Sequence, residues 1–85
     1  MPQFLDHHQA SGPPPQEMVD AVAQDLGGGG HTDEATGVKG IAWMYNDNQQ
    51  WCVTEAPNAD AVHKYHEAMG MTLDKGNVTE IKVVR

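Results

Sequence analysis

Apolar positions along this chain switch between a period of two and a helical period, and the switches mark out six elements. Phe4-Leu5-Asp6-His7-His8 reads as a short extended segment, the first strand, stopped by Ser11-Gly12-Pro13-Pro14-Pro15. Proline is tolerated in the first turn of a helix, where no N–H is required, so the same run prepares a helix start. Met18, Val19, Val22 and Leu26 then recur at helical spacing, with Glu17 in the first turn and Asp20 and Gln24 facing out. Gly27 to Gly30 ends that helix.

Val38 to Tyr45 reads as the second strand, with Ile41, Trp43 and Tyr45 expected on one face and Val38, Gly40, Ala42 and Met44 on the other. Asn46-Asp47-Asn48 is a turn, because these short side chains bond to nearby backbone. Trp51 to Thr54 returns as the third strand, completing a hairpin. Pro57 stops it and Asn58 is placed to cap a second helix. Ala61, Val62, Tyr65, Ala68 and Met69 form the apolar face of that helix, and Gly70 closes it. After a loop, Val78 to Val84 alternates as the last strand.

The order strand, helix, strand, strand, helix, strand predicts an α+β fold. It is the ferredoxin-like βαββαβ sandwich, a four-stranded antiparallel sheet with both helices on one face. The second strand is apolar on both faces, yet the helices cover one face alone. The open sheet face is therefore expected to meet a second copy of the chain, giving a homodimer. At 85 residues the chain, 1–85, is expected to be a single domain, and association is a common supplement to so small a core.

Charge narrows the function. Twelve acidic and five basic residues give a formal net charge of −7. That argues against nucleic acid, where clustered Lys and Arg must neutralise phosphate, and against anionic membrane surfaces. It suits neutral or cationic ligands, metal ions among them. No apolar run approaches the ~18 residues of a membrane span, and no signal peptide is visible. One cysteine cannot form an internal disulfide, and a lone thiol fits a reducing, cytoplasmic setting.

The chemistry concentrates between Trp51 and Gly70, which hold Cys52, Glu55, His63 and His66. Cys, His and carboxylate are metal ligands as well as acid–base and nucleophilic groups. His7 and His8 are adjacent in a strand and so point to opposite faces; the one nearer Cys52 is the candidate ligand. His63 and His66 lie three apart on the second helix, but His66 borders its apolar face and His63 points away from it. The glycine run is no phosphate loop, since it follows a helix and leads to His31. Neither a Gly-x-Ser-x-Gly elbow nor a Cys-x-x-Cys or His-Glu-x-x-His zinc pattern is present, so no complete catalytic motif argues for an enzyme. One alternative is a metal-free enzyme or ligand-binding module of the dimeric α+β-barrel type. Trp43, Met44, Tyr45 and Trp51 would line its apolar cavity and His66 would serve as acid–base group.

Four places in the chain resemble the small bacterial ferredoxin-like proteins described as nickel-binding or nickel-responsive. They are the aromatic strand running into Asp6-His7-His8, Trp43 before the hairpin, Trp51-Cys52-Val53-x-Glu55-Ala56-Pro57, and Ala61-Val62 followed by His66 and Gly70. The resemblance implies a dimer holding Ni²⁺ through histidine, cysteine and oxygen ligands, with Zn²⁺ or Cu²⁺ as competitors. Position by position, His8, Cys52, Glu55 and His66 match the family's motif residues. The family tends to carry a histidine in its first helix, where this chain has Val22.

Overall fold

A computed structural model describes residues 1–70 and 77–84. The elements run β1 (Gln3–Gln9), α1 (Gln16–Gly27), β2 (Lys39–Tyr45), β3 (Gln49–Glu55), α2 (Ala59–Ala68) and β4 (Val78–Ile81). The four strands form one sheet in the order β2-β3-β1-β4, antiparallel at every pairing, so the α+β class stands. The connection expected after Gly70 lies mostly outside the described residues. Among the described residues no helix is long and apolar enough to cross a membrane.

Local chemistry explains most boundaries. Asn46 Oδ1 accepts from the backbone N–H groups of Asn48 and Gln49 at 3.0 and 2.8 Å, closing the β2–β3 turn. Asn58 Oδ1 accepts from the N–H of Ala61 at 2.9 Å, a cap of the kind that contributes about 1 kcal/mol to a helix. The last strand is shorter than its alternating sequence predicts: β4 ends at Ile81, and Val83 and Val84 are exposed. Ile81 pairs with Gln3, and the next residue toward the N-terminus of β1 is Pro2, which has no N–H to offer a ladder.

The core sits beneath α2. Phe4, Val38, Ala56, Ala61 and Val62 are buried together, with Ala59, Tyr65 and Val78 packed against them. By contrast, α1 buries none of its residues; Val19, Val22 and Leu26 are half-buried over β2. Gly30 ties the end of α1 to that strand. Its φ is +72°, and a Cβ there would lie 3.0 Å from the Gly40 carbonyl oxygen, so no larger residue fits.

The expected two faces of β2 need correction. Gly40 pairs with Thr54 and Ala42 with Val53, so the register slips by a residue at Ile41. This bulge reverses the alternation. Trp43 and Tyr45, opposite Cys52 and Gln50, therefore share the helix-covered face with Gly40 instead of opposing it. Met44, opposite Trp51, falls on the open face.

Candidate metal centre

Strands β1 and β3 pair Phe4 with Thr54, Asp6 with Cys52 and His8 with Gln50. Side chains alternate along a strand, so Phe4, Asp6, His8, Cys52 and Thr54 share the face under the helices. Helix α2, anchored by Ala61 and Val62 in the core, lays His66 over the same spot. One ligand atom from each of Asp6, His8, Cys52 and His66 lies within 4.8 Å of all the others. The edges of a tetrahedral transition-metal site are about 3.3–3.8 Å, so an ion would draw the widest of these pairs together by at most about 1–1.5 Å.

The hydrogen bonds prepare the cluster for a cation. His66 Nδ1 donates to the Val62 carbonyl at 2.8 Å, so in the neutral imidazole Nε2 is the nitrogen free to ligate. That nitrogen faces Asp6 Oδ1 at 3.5 Å, and both side chains are buried, at 1% and 0% exposure. A lone pair and a carboxylate oxygen repel unless a proton or a metal ion lies between them. Both Asp6 oxygens and His8 Nε2 are buried without a hydrogen-bond partner among the described residues. Buried polar atoms are nearly always satisfied, so orphaned donor atoms converging on one point fit a metal.

Burial dominates the electrostatics. It raises the pKa of Asp6 above the usual carboxylate value, against the pull that His66 and His8 exert when protonated and against the Cys52 thiol beside it. It lowers that of His8, against the attraction of Asp6. It pushes the Cys52 thiol up to about 12, and the Asp6 carboxylate beside it adds to that rise. The metal-free cluster therefore keeps its proton on sulfur at neutral pH, and His8 is neutral there and ready to ligate.

Of the residues singled out from sequence, His8, Cys52 and His66 come together here and Glu55 does not. Glu55 lies on the opposite face of β3, where Gln3 Nε2 approaches its Oε1 at 3.5 Å. His7 turns the same way and meets Gln49 Oε1 at 3.0 Å and the Trp51 ring. His63 is half-buried on α2 and outside the cluster. The four aromatic and Met residues expected around one cavity are divided by the sheet: Trp43 lies tilted against Tyr45 on the helix side, while Met44 and Trp51 face away. Asp6 is the member that sequence reasoning missed. The signal was the alternation Phe4, Asp6, His8, which puts a carboxylate on the buried side of the first strand.

The chain belongs to a known family: the model described as "Nickel responsive protein SCO4226-like" matches residues 4–81. That bears out the resemblance read from the Cys52 and His66 motifs. No curated protein and no solved structure matches the chain.

Proposed function

We propose that this member of the SCO4226-like nickel-responsive family binds a transition-metal ion, Ni²⁺ by preference, through Asp6, His8, Cys52 and His66, and so buffers or senses it. The observation that carries the reading is the fully buried Asp6 carboxyl group, with no hydrogen-bond partner for either oxygen among the described residues and with His66 Nε2 3.5 Å away. Such a group costs a folded chain stability, and a cation removes the cost. The donor set also suits Zn²⁺ and Cu²⁺, and intrinsic affinity ranks copper above nickel. The preference for nickel rests on the family's description. A lone thiol fits a cytoplasmic setting for the protein.

Protein purified without added metal is expected to carry about one transition-metal ion per chain by elemental analysis, and after chelation to take up Ni²⁺ at that stoichiometry in calorimetry. Purified protein without metal, together with a titration that finds no tight site, would end this reading.

The strand order, with β1 and β2 parallel on either side of β3, supports the ferredoxin-like assignment. The open sheet face supports the homodimer: Leu5, Trp51 and Val53 are half-buried there and Met44 is 43% exposed. Sedimentation at micromolar concentration is expected to give twice the chain mass. A stable monomer would remove the dimer and leave the metal reading intact.

A further inference from the structure

We propose that the cleft above the metal cluster is a binding site for a small planar aromatic molecule whose one nitrogen or oxygen donor reaches the bound ion. The inference rests on the metal reading above. The cleft, of about 360 Å³, opens between α1, α2 and the sheet. That volume lies within the range of small-molecule sites. Its walls are apolar: Met18, Val22 and Leu26 from α1, Trp43 from β2, and Tyr65 and Met69 from α2. Its floor is polar and made of His8, Cys52 and His66, while Asp6 lies behind them at 0% exposure. An ion held by these four would have Asp6 on its buried side and His8, Cys52 and His66 toward the cleft. Four protein ligands would close a tetrahedral site, whereas the tetragonal geometry that suits Ni²⁺ or Cu²⁺ would leave a further position for a donor from outside the protein.

Thr54 points to a ligand independently of the metal cluster. Its side chain is 4% exposed and lines the cleft, yet its hydroxyl has no hydrogen-bond partner among the described residues. The hydroxyl is sealed from solvent, so a polar atom on the cleft's occupant would supply the missing partner once the Thr54 side chain turns toward it. Two further features favour an aromatic body. The rings of Trp43 and Tyr65 offer flat contact surfaces, and thioethers pair well with ring edges. Met18 and Met69 are 52% and 51% exposed along the same cleft, so two large apolar side chains gain cover when it fills.

The test titrates Ni²⁺-loaded protein with imidazole and with 4-phenylimidazole, following the visible d–d absorption. The phenyl compound is expected to bind roughly tenfold or more tightly, because its ring leaves water for the apolar walls. Val22→Trp, which fills the cleft from α1, is expected to erase that preference while nickel still binds with unchanged stoichiometry. Equal affinity of the two probes for the wild-type protein would overturn the proposal, as would a preference that survives Val22→Trp. If that variant does not fold, the wild-type ratio decides alone. Failure to bind nickel at all would sink the metal reading and this one with it, whereas nickel binding without a probe preference removes the cleft site alone.

Discussion

Asp6→Asn is expected to make the metal-free protein more stable and to weaken its nickel binding by about 100-fold or more. The two effects have opposite signs because one group causes both. In the free protein the carboxyl group is buried with no hydrogen-bond partner for either oxygen among the described residues, and burial raises its pKa. A buried unsatisfied polar group costs about 1–3 kcal/mol. Asparagine keeps the volume and brings N–H donors, and the His66 Nε2 lone pair stands 3.5 Å from the atom it replaces. A gain of about 1 kcal/mol in the metal-free state follows. A neutral amide cannot replace the anionic oxygen ligand, so affinity falls. Thermal unfolding in chelator and nickel calorimetry read the two halves separately. A destabilised variant with unchanged nickel affinity would show that Asp6 is an ordinary core residue.

Proton competition should dominate the pH dependence. The Cys52 thiol, pushed from an ordinary 9.0 up to about 12, must lose its proton to ligate. Near neutral pH each bound ion should therefore release about one proton from sulfur, and affinity should rise about tenfold per pH unit. His8, whose pKa burial lowers, stays neutral there. It joins the competition below the usual histidine value of ~6.5, where the dependence steepens. Stability of the metal-free protein runs the other way. A group whose folded pKa is raised contributes stability that is complete below 9.0 and is lost as pH climbs toward about 12. The full loss amounts to about 4 kcal/mol at most. Tyr65, also raised by burial, adds to the alkaline loss, so the comparison of interest is with Cys52→Ser, which has no thiol to ionise. The variant should lose less stability than wild type above pH ~9. Nickel binding that ignores pH would mean that the thiol is not a ligand, and identical alkaline profiles would mean that folding does not raise its pKa.

Much of this was legible in the sequence because it follows from local rules. Asn58 as a cap, Asn46 as a turn residue and the helical face carrying Val62 and His66 all depend on neighbours within a few positions. The grouping of His8, Cys52 and His66 was legible in part from strand alternation and the helical face that His66 borders, and the motif resemblance singled out His8. Asp6 was hidden because aspartate in a twelve-acid chain reads as surface, although its place between Phe4 and His8 says otherwise. Glu55 could have been set apart by the same arithmetic, since residues three apart on a strand face opposite ways. The bulge at Ile41 had no such signal. It arises from how β2 meets β3, and a strand's partner is not written in its own residues.

Helix α1 is bounded by prolines before it and glycines after it, and it buries none of its residues. A segment of about a dozen residues is marginal as a helix by itself in water. Its helix–coil equilibrium is thus poised by three half-buried side chains, Val19, Val22 and Leu26, and by whatever lies against its inner side. Any occupant that touches Val22 and Leu26 binds the coiled form more weakly than the helical one and shifts the balance toward helix. Filling the cleft is therefore expected to raise the helix content of this wall, which far-ultraviolet circular dichroism would read.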